Sequence, residues 1–277
     1  FLGTKFRNES RFVNGVEIAS ADADAYYLVT TPDKHYEQIK KFLLDGKHVL
    51  CESPIACSGK ECKELFEIAK KQKCVLMEGI KTAYSTAYSR LLLLAKSGEI
   101  GKIVSVDATC TSMRDDLDSL ENKWNSISAW GPTALLPIFQ LLGTNYTDKK
   151  IISHYIDDDK MFDGFTKIDF IYPDSVASIK VAKTAKSEGE LIITGTKGYI
   201  YVPAPWWKTD YFEIRYEDPT ENKRYFYKLD GEGIRYEIVA FNRSIESGKN
   251  YSYIDSKISI AISEIIEACK SNNVIEI

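Results

Sequence analysis

Lys81 is the side chain whose type and place most directly suggest chemistry. It follows Met77-Glu78-Gly79-Ile80 at the end of a short apolar run, Val75-Leu76-Met77, that reads as a strand. The C-terminal ends of parallel strands face the ligand crevice in open α/β sheets. An ammonium there could hold a substrate oxygen and assist proton transfer, although an exposed lysine at a strand exit is the more ordinary occurrence. Trp130, Trp206 and Trp207, with Tyr84 and Arg114, form a second candidate set, because aromatic faces and a guanidinium suit a carbohydrate-like or anionic ligand. Aromatics in a stretch such as Pro203-Ala204-Pro205-Trp206-Trp207 serve more often as packing beneath a strand exit. No metal site is expected. The histidines His35, His48 and His154 are scattered, the six cysteines form no CxxC pair, and Asp157-Asp158-Asp159 lacks the glycine and distal glutamate of a calcium loop. Four Asn-x-Ser/Thr triplets, at Asn8, Asn145, Asn242 and Asn250, are what chance gives.

The elements that must position these residues follow from periodicity. Ala25 to Val29 is a buried strand ending at Thr30-Thr31-Pro32, and Tyr36, Ile39, Phe42 and Leu43 share one helical face that stops at Asp45-Gly46. His48 to Cys51 is the next strand. Ser58 and Glu61 are spaced for a capping box ahead of the stripe Cys62, Leu65, Phe66 and Ala69. After Val75 to Met77 comes a helix with Tyr88, Leu91, Leu92 and Ala95 on one face. This strand and helix alternation predicts right-handed crossovers and a parallel, doubly wound sheet. Beyond Gly98-Glu99-Ile100-Gly101 the pattern changes. A strand over 103–109, a helix near Gly131 to Leu142, and strands over 176–181, 190–194, 199–202, 212–216 and 224–229 predict an α+β unit with a large, mainly antiparallel open sheet. Two helices close the chain, one carrying Ile234, Ile238, Phe241 and Ile245, the other Ile258, Ile262, Ile265, Ile266 and Cys269. The expected division is 1–82 for the parallel-sheet unit and 83–277 for the open-sheet unit.

With 277 residues the chain can bury a sizeable core, and two domains of ordinary size are expected. Its net charge of -4, with both signs spread along the chain, carries no footprint for nucleic acid. No apolar run approaches the roughly 18 residues of a membrane span, and no signal peptide is seen, so a cytoplasmic protein with free thiols is expected.

The runs Thr31-Pro32-Asp33-Lys34-His35 and Gly46-Lys47-His48-Val49-Leu50-Cys51-Glu52-Ser53-Pro54 are closely similar to a segment of the glucose-fructose oxidoreductase / inositol dehydrogenase / MocA-type family. Met77-Glu78-Gly79, Gly98 to Ile103, Thr133 to Leu136, Gly195 to Ile200 and Gly233-Ile234-Arg235-Tyr236-Glu237 extend the resemblance over nearly the whole chain, the last two looking most like the dihydrodiol dehydrogenase branch. The resemblance implies a truncated Rossmann-like dinucleotide-binding unit followed by a substrate and oligomerisation domain. It implies NAD or NADP as cofactor and a sugar, polyol or sugar-nucleotide hydroxyl as substrate. Thr30, Thr31, Pro32, His35, Glu52 and Pro54 would lie on the cofactor side, while Tyr84, Arg114, Trp130 and Trp206 are candidates for the substrate side by residue type alone. It also implies a homo-oligomer, a dimer formed through the open sheet.

The chain departs from that family where chemistry is concerned. No G-x-G-x-x-G occurs, and the resemblance starts around what would be the second strand. The first βα unit, which offers backbone N–H groups to the pyrophosphate, is thus expected outside this sequence, and NAD(P) binding by this chain is expected to be weak or absent. The family's nicotinamide-side lysine is Ser53 here, and its helical aspartate and histidine or tyrosine, one turn apart, are Pro137 and Leu141. Pro137 removes a helical N–H and is expected to kink its helix. Lys81 is then the candidate replacement. Two functions fit: an oxidoreductase with an altered acid/base set, or a non-catalytic relative that binds a carbohydrate-like ligand or serves as a dimerisation platform within a larger fusion.

Overall fold

The computed structural model describes residues 23–113, 124–160, 162–229, 233–271 and 273–277. Arg114 lies outside the described residues. Three short strands, β1 (Ala25–Leu28), β2 (His48–Glu52) and β3 (Leu76–Gly79), pair in parallel in the order β1-β2-β3. Helix α1 (Pro32–Leu44) joins β1 to β2, and α2 (Gly59–Gln72) joins β2 to β3. Each boundary has a local cause. Pro32 opens α1 at a position where its missing N–H is not needed, and Gly46 leaves the helix at a positive φ of 72°. The Ser58 hydroxyl caps α2 by accepting from the Glu61 N–H at 3.2 Å.

Helix α3 (Thr86–Lys96) leads out of this unit into nine further strands: β4 (Ile103–Thr111), β5 (Asp148–Tyr155), β6 (Asp163–Ile171), β7 (Val176–Ala182), β8 (Leu191–Gly195), β9 (Tyr199–Val202), β10 (Tyr211–Arg215), β11 (Lys223–Phe226) and β12 (Val274–Glu276). They form one sheet in the order β11-β10-β9-β8-β4-β7-β6-β5-β12, antiparallel except at β4–β7 and β5–β12. The parallel sheet followed by a mainly antiparallel open sheet is the architecture the sequence predicts. Strands β5 and β6 are additional to the ones the sequence picks out, and β6 shows why: its outward Lys167 and Asp169 break up the apolar run and pair with each other at 2.8 Å.

Helix α4 (Ser126–Leu142) covers one face of the open sheet. It begins at Ser126, ahead of the expected start near Gly131, and its helical assignment runs unbroken through Pro132 and Pro137. Its N-terminus is held from β6. Asp163 accepts from the Ile127 N–H at 3.1 Å and from the Thr166 hydroxyl at 2.7 Å, while the Ser126 hydroxyl donates to the Asp163 carbonyl at 2.6 Å. Helices α5 (Ile234–Ser247) and α6 (Ser256–Ala268) close the fold, α6 against α2. One buried cluster runs across both units, taking Leu50 and Met77 from the parallel sheet together with Val106, Leu135, Ile179 and Phe241. A smaller one, with Ile39, Phe42, Val49 and Leu65, lies on the other side of the parallel sheet. Among the described residues no helix is long and apolar enough to cross a membrane, and the six cysteines are free thiols.

The buried Asp163 carboxylate is the main tie between β6 and the start of α4. Asp163→Ala is expected to cost about 2 kcal/mol, the loss of a cap plus stranded donors. Urea denaturation of parent and variant measures it.

Candidate active site

The C-terminal ends of β1, β2 and β3 bring together residues from four elements. The loops leaving β1 and β2 are locked to each other by His35, which is fully buried. Its Nδ1 lies 2.7 Å from the Pro54 carbonyl and its Nε2 2.8 Å from the Thr30 carbonyl. Burial holds the imidazole below its ordinary value, against the pull of the two carbonyls and Asp33. Both ring nitrogens are thereby committed to the backbone, and His35 acts as a strut between loops. Thr30 adds a hydrogen bond from its hydroxyl to Gln38 at 2.6 Å, while the Thr31 side chain makes no cap to α1.

Glu52 ends β2, and its carboxylate accepts a hydrogen bond from the Tyr27 hydroxyl on β1. Burial raises its pKa, with the Tyr27 bond and the Lys81 ammonium opposing. Ser53, next along, donates to the Gly79 carbonyl at 2.9 Å, so its proton is already used on β3. Lys81 opens a short 3-10 turn, Lys81–Tyr84, directly after β3, and its charge acts on both Glu52 and Glu237. The candidate residues Ser53 and Lys81 are thus brought to the same strand ends as Glu52. Pro137 and Leu141 are placed elsewhere, Pro137 buried within α4 and Leu141 packed against the main core.

The aromatic candidates are mostly packing. Trp206 is fully buried and donates its indole N–H to the Thr109 carbonyl at 3.0 Å. Tyr84 is buried, stacked on Tyr253 with centroids 5.1 Å apart and bonded to Ser252 at 3.2 Å. Trp130 stays half-buried, 4.9 Å from the Trp207 ring, and donates to Ser112 at 3.2 Å. Of this set Trp130 and Trp207 keep partly open ring surface.

Two acids that the sequence did not single out complete the site. Glu78 stands inside β3 and Glu237 in the first turn of α5; both are buried, and none of their carboxyl oxygens has a hydrogen-bond partner among the described residues. Ser259, the Ile55 N–H and Ser53 approach Glu78 without making a well-formed bond, and burial pushes its carboxyl up to about 7. Burial and the Glu52 carboxylate push Glu237 well above the carboxylate range. The signals were a charge inside a four-residue strand buried throughout, and a glutamate on the inward stripe of a helix. That stripe is Glu237, Phe241 and Ser244, rotated by about one position from the expected Ile234, Ile238, Phe241 and Ile245. Among the described residues no group of three or more metal-ligating side chains is placed to hold a metal ion.

These features define a class: a Rossmann-type parallel sheet, joined to an open mixed sheet, with ionisable groups gathered at the ends of the parallel strands. Residues 5–80 match the family described as "Oxidoreductase family, NAD-binding Rossmann fold". A scyllo-inositol 2-dehydrogenase (NADP(+)) of Bacillus subtilis is 41% identical over 76 residues, which are 27% of this chain and 23% of that protein. A rabbit (Oryctolagus cuniculus) trans-1,2-dihydrobenzene-1,2-diol dehydrogenase is 24% identical over 257 residues, 88% of this chain and 76% of that one. The same fold is found in a 3-ketoreductase from Actinomadura kijaniata, solved with TDP-benzene and NADP. Its TM-score is 0.80 at 17% identity, over 95% of this chain and 82% of that one. The chain is thus similar to the glucose-fructose oxidoreductase / inositol dehydrogenase / MocA-type oxidoreductases, in sequence over residues 5–80 and in fold over nearly its whole length.

Glu78 gives the site a pH signature. Its folded value of about 7 lies above the ordinary 4.5, so the folded state binds the extra proton and stability falls as pH rises from about 4.5 through 7. Glu78→Gln is expected to match the parent near pH 4.5 and to be the more stable protein at pH 8, as read by thermal unfolding at both pH values.

Proposed function

We propose that the protein is a nicotinamide-dependent oxidoreductase that interconverts a hydroxyl and a carbonyl on a sugar, polyol or sugar nucleotide, with an altered acid/base set. The observation that carries this is the convergence of Glu52, Lys81 and Glu237 at the ends of β2 and β3, beside the position where the family has lysine and this chain has Ser53. The proposed division of labour assigns residues 1–82 to the cofactor and 83–277 to substrate and self-association. The activities of similar proteins, inositol dehydrogenation and keto-sugar reduction among them, support the substrate class.

The residues present fit the nicotinamide and ribose end of such a cofactor. Thr30, Thr31 and Pro32 leave β1, Glu52, Ser53 and Pro54 leave β2, and His35 fixes the two loops against each other. When bound, the cofactor gives or takes the hydride; the residues of this chain bind it, orient the substrate and move the accompanying proton. The 277 residues contain no G-x-G-x-x-G, so this chain is proposed to bind NAD(P) weakly, through the ribose side alone. Ser53, Pro137 and Leu141 have no proton to exchange near neutral pH, which leaves Lys81 as the group proposed to hold the substrate oxygen.

The face of the open sheet away from α4 supports self-association. It presents Ile171 and Val176, paired across β6 and β7 and each 50% exposed, and Phe226 at 73%. Between them runs a polar row in which Asp107 accepts from Ser105 and Ser178, and Arg215 lies over the Tyr201 ring. A second copy would cover that face.

Three experiments test these proposals. Calorimetric titration with NADH and NADPH is expected to show weak binding, and a low-micromolar dissociation constant would contradict that part. At millimolar cofactor the parent is expected to turn over an inositol or its ketone. Lys81→Ala should lower kcat by about 10²–10⁴-fold with cofactor affinity unchanged. An unaltered rate removes Lys81 from the site. Light scattering should report a dimer at tens of micromolar, and conversion of Ile171 and Val176 to lysine should return a monomer.

A further inference from the structure

Glu237, like Glu78, is an ionisable group at these strand ends whose presence the fold does not explain. It is 1% exposed, and neither carboxyl oxygen has a hydrogen-bond partner among the described residues. Its direction is specific. A Cβ on Gly79 would lie 3.1 Å from Glu237 Oε1 and 3.2 Å from the Cys51 carbonyl, so the carboxyl occupies the space that a side chain at the end of β3 would fill. Ser53, at the position of the family's lysine, directs its hydroxyl to the carbonyl of the same Gly79. The carboxyl and the lost ammonium position thus converge on one residue. Burial of a carboxyl without a partner is costly, and groups kept at such cost gather at functional sites.

We propose that Glu237 holds the proton exchanged with the reacting oxygen of the substrate, in place of the lysine that Ser53 replaces. The proposal rests on the oxidoreductase function above. In carbonyl reduction the substrate carbon gains a hydride from a reduced nicotinamide, the C=O π pair moves onto oxygen, and that oxygen takes the proton as the Glu237 O–H bond breaks. The products are the alcohol, the oxidised nicotinamide and the Glu237 carboxylate, which water reprotonates. Oxidation of the alcohol runs the same steps backwards, with the carboxylate as base.

The surroundings fit this role. Burial and then the Glu52 carboxylate raise the affinity of Glu237 for its proton, with the Lys81 ammonium opposing, which favours its acid form. The groups that face it are Glu52 from β2, Lys81 and Tyr84 from the turn after β3, and Tyr27 from β1. A site that favours the acid form is set for reduction. Reduction should weaken as pH rises through the titration of Glu237, and oxidation should gain.

The test compares the parent, Glu237→Gln and Glu237→Gln/Ser53→Lys at millimolar NADPH with an inositol ketone as substrate. Glutamine has the same shape and no charge, so the fold should hold, which thermal unfolding checks. For Glu237→Gln a fall in kcat of about 10²–10³-fold is expected, with KM little changed and the alkaline loss of rate gone. Adding Ser53→Lys should recover at least about tenfold of that loss. Infrared spectra of the unliganded protein at neutral pH should lose a protonated-carboxyl component in Glu237→Gln. Equal turnover by parent and Glu237→Gln, or spectra that do not differ, overturns the proposal while leaving the oxidoreductase function standing. Absence of turnover in the parent itself overturns both.

Discussion

Gly233 stands where no other residue fits. A Cβ there would lie 2.2 Å from the Lys81 carbonyl oxygen, and the backbone holds a φ of 92°, a region that side chains disfavour. Because this contact is closed by glycine, α5 can begin against the turn that follows β3. One turn later its inward face delivers Glu237 to the bare end of that strand. The same turn is anchored from the other side, where the Thr82 hydroxyl donates to the Trp207 carbonyl at 2.9 Å. A helix from the end of the chain, the third parallel strand and the tryptophan loop of the open sheet are therefore tied through four residues, Lys81 to Tyr84. The ionisable groups of the site inherit their positions from that tie.

The motifs that carry the family resemblance meet one another in space, which explains why they share a chain. Gly195-Thr196-Lys197-Gly198 packs on Gly98-Glu99-Ile100-Gly101: the Lys197 N–H donates to the Ile100 carbonyl at 2.9 Å, and a Cβ on Gly195 would lie 2.1 Å from that oxygen. Thr31-Pro32 to His35 meets Ser53-Pro54 through the buried imidazole, and Gly233 to Glu237 meets Gly79 and Lys81. Spacing in sequence reveals each half of such a pair. It does not reveal the partner, since nothing local in Gly198 points to Arg215 or in Gly233 to Lys81.

The elements most legible in the sequence were those whose periodicity and punctuation agree. Helices α1 and α2 have both a clean apolar stripe and a proline or serine at the start, and β1, β2 and β9 are short apolar runs closed by turn residues. The start of α4 was hidden because its cap comes from Asn125 and its anchor from Asp163, far along the chain. The acids were hidden for a related reason. A glutamate in a pattern reads as solvent-facing, and its burial depends on what tertiary packing lays over it. In α5 the charged Glu237 and the apolar Ile238 compete for the inward stripe, and periodicity alone favours Ile238. The docking forced by Gly233 gives the place to Glu237. Trp206 erred in the opposite direction: a ring that looked available to a ligand is enclosed, its N–H spent on a backbone carbonyl.

The charge balance of the strand ends constrains how the site can operate. Glu52 and Glu237 face the Lys81 ammonium, Glu78 lies deeper in the same strand ends, and each of the three carboxyls is shifted toward its neutral form chiefly by burial. Were all three ionised, the repulsion between Glu52 and Glu237 would be poorly screened, since buried charges interact far more strongly than charges in water. Holding a proton on one of that pair removes the repulsion and leaves Lys81 with one carboxylate to balance. Tyr27, bonded to Glu52, favours Glu52 as the ionised member, and the unpartnered Glu237 is then the one that keeps its proton. The division of protons is thus set by which carboxyl has a donor within reach, and it assigns the acid form to the carboxyl that lies against Gly79 and next to Ser53.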